Sequence, residues 1–420
     1  MINKLYNNIK KERIVIIGSG WAGSTVAKNI NCKTKYNLTV ISNRNHMVFT
    51  PLLASSCVGT LHSLSVIENI RHIQPNLRDP DNHFYLGNVN SIDKTSKKIQ
   101  CKTVSDKIFE VDYDKLVIAT GGKSSTFGIE GVNKYAHFLK NLSDSQKIRN
   151  SILENICLSG IPGTTIKEKE RLMNFVIVGG GPTGVEFCSE LCNFINEDMH
   201  RYNPNAKNLA KITIIEGNEL LGSFDSSLKD YASIRLINAG VNIKKCQVNK
   251  IEKDKIYLSD GTNINYGICV WSTGIEPGDL VKKFDCIKSK NGKIRVNEFL
   301  NIYNLDGSIN EDIYSLGDCV EIENNPLPPL AQVAEQQGLF LSDSLNNLNT
   351  KNKFKYNHRG SMVTLTTGSA ILESTVKIKG ITSWLLWRSV YLTKLISIKN
   401  KLNVASQWFG SWIKGREISF

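Results

Sequence analysis

The feature that most narrows what this chain can fold into is Phe175-Val-Ile-Val-Gly179-Gly-Gly181-Pro-Thr-Gly184-Val-Glu186. An apolar run of strand length breaks into Gly-x-Gly-x-x-Gly and passes into a helical pattern, which is how a dinucleotide-binding βαβ unit begins. Gly179 makes the tight turn, Gly181 lets the backbone approach a pyrophosphate, and Gly184 lets helix and strand pack closely. The N–H groups at the helix start attract the negative phosphates. A second apolar strand at 211–215 ends in Glu216, placed to accept from a ribose 2′-OH. The chain carries another copy near its start, Arg13-Ile-Val-Ile-Ile-Gly18-Ser-Gly20-Trp-Ala-Gly23, with a helix expected at 20–30 and a strand at 38–41. That strand ends in Ser42 rather than an acid. A hydroxyl still hydrogen-bonds a ribose, and Arg44 can reach a phosphate. Two such units imply two dinucleotides facing each other.

Other strand ends fit the same scheme. Residues 115–119 run into Thr120-Gly121 and 267–272 into Thr273-Gly274, equivalent places in two similar halves and so a duplicated architecture. The strand Ile313-Tyr-Ser-Leu closes on Gly317-Asp318, where a carboxylate can accept from the ribityl hydroxyls of a flavin. Past the second strand, the apolar loop 46–59, with Phe49-Thr50-Pro-Leu-Leu53, is expected to lie along the first nucleotide. Stretches 84–92, 98–103 and 107–113 alternate as a β-meander, and 143–172 reads as linking helices with a polar turn at 159–165. After Pro326-Leu-Pro-Pro329 a helix begins at Ala331 with Gln332 and Gln336 one turn apart. Paired amides there can hydrogen-bond a carbonyl-bearing ring.

A chain of 420 residues has room for two or three domains, and 41% hydrophobic with 22% charged residues excludes a mainly disordered protein. The net charge of +13 points to an anionic partner: nucleic acid, a membrane surface, or the acidic nucleotides themselves. Ten scattered cysteines show no Cys-x-x-Cys or His-paired spacing, so no metal site is expected and they read as reduced, buried thiols. The short basic stretch 1–13 lacks the apolar core of a secretory signal. No run reaches the ~18 apolar residues of a transmembrane helix, so any membrane association is peripheral. From Lys377 onward eight Lys or Arg face the single acid Glu417, and four of the six tryptophans fall there. Leu402, Val404, Ala405, Trp408, Phe409, Trp412 and Ile413 share a helical face, the pattern of a segment lying in a membrane interface. The alternative is a helix docked on its own core or in a homodimer.

On these motifs the chain resembles the type II NADH dehydrogenases, single-chain NADH:quinone oxidoreductases that pump no protons. Residues 18–23, 44–53, 116–123, 179–190, 316–318, 331–338 and 383–393 match that family, closest to its mitochondrial branch. The resemblance implies an α/β fold of two Rossmann-like dinucleotide-binding domains with a C-terminal amphipathic membrane-anchoring region. The FAD-binding domain would comprise 1–140 and 285–354, the NADH-binding domain 141–284, and the membrane region 355–420. It implies FAD at Gly18, Gly20, Gly23, Ser42, Arg44, Thr50, Thr120, Gly121, Asp318 and Gln332. It implies NADH at Gly179, Gly181, Gly184, Glu186, Glu216, Thr273 and Gly274. Glu186, Gln332 and Gln336 carry the catalytic roles, with quinone at the two glutamines.

The resemblance also implies a respiratory electron-transport role, peripheral on the inner membrane of a mitochondrion or mitochondrion-related organelle, with quinone and membrane as partners and no nucleic acid. Asn43, where that branch commonly has Pro, and Lys123 depart from the pattern without removing a ligand. Residues 319–330 lack an EF-hand pattern, so calcium control is not expected. A flavin disulfide reductase would need a cysteine pair after the first βαβ unit, where Cys57 stands alone, and a sulfide:quinone oxidoreductase would need a cysteine relay. The rival of another class is an apoptosis-inducing-factor-like flavoprotein NADH oxidoreductase with a binding role.

Overall fold

The structure, a computed structural model, describes residues 11–348 and 352–419; most of the basic N-terminal stretch lies outside them. By residue contacts the chain divides into two units. The first holds the residues up to Val48, Glu68–Lys123 and Ile275–His358; the second holds Phe49–Ile67, Ser124–Gly274 and Arg359 to the end. The sequence reading has three segments where the contacts give two units, and everything from Arg359 joins the second.

The first unit is built on a sheet whose strands Ile309–Ser315, Lys115–Ile118, Glu12–Ile17, Tyr36–Ser42 and His83–Leu86 lie side by side and parallel. Parallel strands covered on both faces need near-continuous apolar runs, and Ile14, Ile16, Leu38 and Leu116 are fully buried. The helix Trp21–Asn29 packs closely on Ala331–Leu345, because Gly338 lies where a Cβ would sit 2.9 Å from the Ala22 carbonyl oxygen. The expected strand 84–92 is in fact two. His83–Leu86 joins the parallel sheet, and Asn88–Asp93 turns into an antiparallel meander with Lys98–Lys102 and Ile108–Asp112. The break falls at Gly87, whose Cβ would meet the Lys102 carbonyl oxygen at 2.7 Å.

The second unit has a fully parallel sheet in the order His137–Phe138, Ile268–Trp271, Asn174–Val178, Lys211–Glu216, Val241–Lys245. Helices Leu142–Ser159 and Ile166–Leu172 bracket the expected polar turn, the first opened by a capping box of Asn141 and Asp144. The segment from Arg359 adds an antiparallel sheet, Ser361–Thr364, Ala370–Glu373 and Lys377–Gly380, and the helices Ile381–Lys394 and Ile398–Lys414.

The last helix does not present a single apolar face. Val404 and Trp408 are buried, and Trp408 lies 6.0 Å from Trp387 between ring centroids. Gln407 is also turned inward: it donates to Ser65 Oγ at 2.8 Å and accepts from His62 N at 2.9 Å. Leu402, Phe409, Trp412 and Ile413 form a second, exposed stripe. Beyond it Gly415 takes φ +81, and Arg416 reaches Asp198 and Glu197 at 2.7 Å and Thr60 Oγ1 at 2.9 Å. Nine of the ten cysteines are buried as expected, and Cys157 is exposed. Among the described residues no helix is long and apolar enough to cross a membrane.

Candidate active site

In the first unit the parallel strands end on one edge, which is where an open α/β sheet binds its ligand. Gly18 follows Glu12–Ile17 at φ +108, and a Cβ on it would sit 2.3 Å from the Ala119 carbonyl oxygen. Gly23 is equally committed, since its Cβ would lie 2.0 Å from the carbonyl oxygen of Gly18. Gly20 differs. It is the N-cap of Trp21–Asn29 with no side-chain cap and no acid in the first turn, and its Cβ would meet only the Arg44 guanidinium at 3.7 Å. That is an open helix start with its N–H groups outward, suited to a phosphate.

Ser42 is buried, its Oγ 2.9 Å from Ser19 Oγ, which also lies 3.1 Å from the carbonyl oxygens of Arg44 and His46. This links the turn that carries Arg44 to the glycine turn. Gly121, after Thr120, stands at φ +68 with no atom within 4 Å of a Cβ. Gly317 stands at φ +87 with its Cβ position 3.3 Å from Ala22 Cβ, so Asp318 comes to the start of the same helix. A small cavity there is lined by Gly317, Asp318, Pro328, Leu330 and Gln337.

Gln337 is the residue that the sequence reading missed: fully buried, it accepts from Gly317 N at 2.7 Å and fixes the turn before Asp318. Its neighbour Gln336 is committed elsewhere, donating to Asn357 O at 2.8 Å and accepting from Asn357 N at 2.9 Å. The Gln336 amide is thus bonded to the Asn357 backbone, and Gln332, half-buried, stands one turn before it on the same helix. Thr50 is exposed at the start of the short turn Thr50–Leu52 and belongs to the second unit. In that unit Ser55 and Thr60 donate to Glu190 at 2.8 and 2.7 Å. The loop expected along the first nucleotide is thus built onto helix Pro182–Glu197.

The second unit repeats the cradle. Gly179 has φ +110 with its Cβ position 2.9 Å from Thr273 Cβ, and Gly184 would clash with the Gly179 carbonyl oxygen at 2.0 Å. Gly181 caps Pro182–Glu197 without a side chain and meets nothing within 4 Å. Glu216 accepts from Gly180 N at 2.6 Å and Asn218 N at 2.8 Å, which orients its carboxylate over the glycine turn. A cleft of about 570 Å³ is lined by Gly181, Pro182, Glu216, Asn218, Thr273 and Gly274.

Glu186 is not among the residues that line that cleft. As the fifth residue of the helix it lies past the first-turn N–H groups, and it is buried where it accepts from Thr364 N and Trp387 Nε1, each at 3.2 Å. Burial pushes its carboxyl up to about 8, against the pull of those two donors. Nearby, Arg388 lies over Trp384 and Trp408 at 3.9 and 4.9 Å, and burial lowers its guanidinium to about 10.

Comparison with known proteins agrees with this geometry. Residues 12–338 match the pyridine nucleotide-disulphide oxidoreductase family, and residues 358–417 match the NDH2 C-terminal domain. The internal alternative NAD(P)H-ubiquinone oxidoreductase A1, mitochondrial, of Solanum tuberosum is 43% identical over 98% of this chain and 88% of its own length. The probable NADH dehydrogenase of Dictyostelium discoideum is 38% identical over 98% of this chain and 92% of its own. The solved structure of NDH2 from Plasmodium falciparum in complex with NADH is similar at TM-score 0.92 and 26% identity, covering 98% of this chain and 100% of that one. A nucleotide cradle in each unit and relatives that match along nearly the whole chain lead to one assignment: the chain belongs to the type II NADH dehydrogenases, within the pyridine nucleotide-disulphide oxidoreductase family.

Proposed function

We propose that this protein oxidises NADH with a ubiquinone-type quinone at a membrane surface, turning NADH, a proton and quinone into NAD⁺ and quinol without pumping protons. The observation that carries the reading is a complete glycine cradle at the strand ends of each unit, in a chain whose relatives are named NAD(P)H-ubiquinone oxidoreductases. FAD supplies the redox chemistry when bound, taking a hydride from NADH and passing two electrons on.

The residues fit the two groups. The uncapped helix starts at Gly20 and Gly181, with Cβ positions free of protein backbone, suit two pyrophosphates. Gly18, Gly23, Thr120 and Gly121 shape the FAD cradle, Asp318 takes ribityl hydroxyls, and Ser42 and Arg44 serve its remaining polar groups. Glu216 takes the adenosine ribose of NADH, whose other half passes Thr273 and Gly274. Gln332 donates to the carbonyl-bearing ring, Gln336 holds the backbone of Asn357, and Gln337 steadies Asp318. Glu186 ties its helix to Thr364 and Trp387 through the hydrogen bonds that its carboxyl accepts.

The exposed stripe Leu402, Phe409, Trp412 and Ile413, with Ile381 and Leu385 on the preceding helix, supports a peripheral membrane face. The basic excess after Lys377 favours anionic headgroups. Relatives named as mitochondrial support the inner membrane of a mitochondrion or related organelle. The test is steady-state oxidation of NADH by a short-chain quinone, with a flavin spectrum of the purified protein. A flavoprotein without quinone turnover that retards nucleic acid in a gel would favour a binding role instead. Sedimentation with and without anionic liposomes separates a membrane face from a homodimer through the same stripe.

A further inference from the structure

Phe127 is a large apolar side chain left 63% exposed and held at φ +52. A bulky L-residue adopts that left-handed conformation only where its surroundings impose it. Here the turn that carries it is fastened to the end of the strand Ile268–Trp271. Trp271 Nε1 donates to Ser125 O at 2.9 Å, Ser125 N donates to Gly274 O at 3.2 Å, and Phe127 N donates to Ser125 Oγ at 3.2 Å. The Phe127 ring stands 6.4 Å from the Trp271 ring at 55°. Its tip lies against Gly274, where a Cβ would come within 2.6 Å of Phe127 Cζ. Gly274 itself is at φ +71, so two left-handed residues bring an exposed ring to the Thr273-Gly274 end of the cleft.

The order of groups along that cleft says which part of a dinucleotide meets the ring. Glu216 marks the adenosine ribose and the helix start at Gly181 the pyrophosphate. What continues past the pyrophosphate toward Thr273 and Gly274 is the nicotinamide half. We propose that Phe127 is a positioning residue for NADH, its ring giving the nicotinamide nucleotide an apolar face beside Gly274. The inference rests on the placement of NADH in this cleft. An aromatic face against a planar ring is favourable, and it accounts for a strained, solvent-facing phenylalanine that ordinary packing does not require.

The test uses the FAD-loaded full chain. Phe127→Asn suits the left-handed backbone, so its melting temperature should stay within about 2 °C of wild type. The melting-temperature rise on adding NAD⁺ should shrink, the KM for NADH should rise about fivefold, and reoxidation of the flavin by a short-chain quinone should be unchanged. Phe127→Tyr should keep every property. Phe127→Gly, unstrained at this φ, replaces the Asn variant if that one fails to fold. A lower melting temperature with an unaltered NAD⁺ response, or no change in any measurement, overturns the proposal, as does an equal loss in Phe127→Tyr. Gly181→Ala run in parallel separates the two claims. If it also leaves NADH binding intact, the cleft assignment falls; if it weakens NADH while Phe127→Asn does not, Phe127 alone is misassigned.

Discussion

Gly181→Ala is the sharpest test of how the second cradle works, because the structure separates its effect on the fold from its effect on the ligand. Gly181 has φ −75 and a Cβ position with nothing within 4 Å, so an added methyl meets neither strain nor protein. Replacing a glycine N-cap by alanine costs roughly 0.5–1 kcal/mol. The lower entropy of the unfolded alanine chain offsets about 0.4–1 kcal/mol of that, leaving a melting shift of about 2 °C or less. The methyl does occupy the space through which a phosphate approaches the helix start. Losing one charge-assisted hydrogen bond there costs about 1.5–3 kcal/mol, a KM for NADH raised roughly 10- to 100-fold. Stopped-flow reduction of the flavin by NADH reads the loss directly. Thermal melting reads it independently, since a ligand at 100 times its Kd stabilises by about 2.7 kcal/mol and each tenfold weakening removes about 1.4. Gly184→Ala is the contrast: its Cβ would lie 2.0 Å from the Gly179 carbonyl oxygen, so it should fail to fold. The reasoning is refuted if Gly181→Ala melts as low as Gly184→Ala, or if it folds and binds NADH as wild type does.

Glu216→Gln should narrow the preference for NADH over NADPH by removing the charge that repels a 2′-phosphate, read as the ratio of kcat/KM values; equal use of both by the wild type would sink the idea. Trp412→Ser with Ile413→Ser, both on the exposed stripe, should release the protein from anionic liposomes in a sedimentation assay while the melting temperature holds. Gln332→Ala should slow flavin reoxidation by quinone about tenfold, for a lost hydrogen bond of ~1.4 kcal/mol, and spare reduction by NADH. Gln336→Ala should act on both half-reactions alike because it releases the backbone of Asn357. Glu186 takes up its proton more readily folded than unfolded, so it binds more protons in the native state between about pH 4.5 and 8 and the stability it contributes is lost as pH rises through that window. Glu186→Gln should flatten the decline of melting temperature from pH 5 to 8; an unchanged slope would mean that another group titrates there.

The cradles were legible because their requirements are local. Gly18 must clear Ala119 and Gly23 must clear Gly18, and a strand, a turn and a helix in succession are enough to dictate such contacts. What Glu186 and Gln336 hold was not legible, for the opposite reason. Their partners stand 178 and 21 residues away, at Thr364 and Asn357, and nothing in the spacing of a helix announces them. Gln337 shares its helix with two other glutamines, Gln332 and Gln336, and only the position of Gly317 distinguishes it. The final helix shows the limit of a helical wheel: it groups Val404 and Trp408 with Leu402 and Phe409 by hydropathy, while the fold buries the first pair and exposes the second.

The division of the chain has a consequence for how it can be cut. The backbone passes from one unit to the other after Val48, Ile67, Lys123, Gly274 and His358. No single break in the chain therefore yields two complete halves, and neither unit can be made as one continuous fragment. Expression of 124–274 alone would leave Glu190 without Ser55 and Thr60, Glu186 without Thr364 and Trp387, and Asp198 without Arg416. Each is a buried acid stranded without its donor, which is costly. The two units are in this sense sewn into one covalent piece by a thread that crosses between them repeatedly.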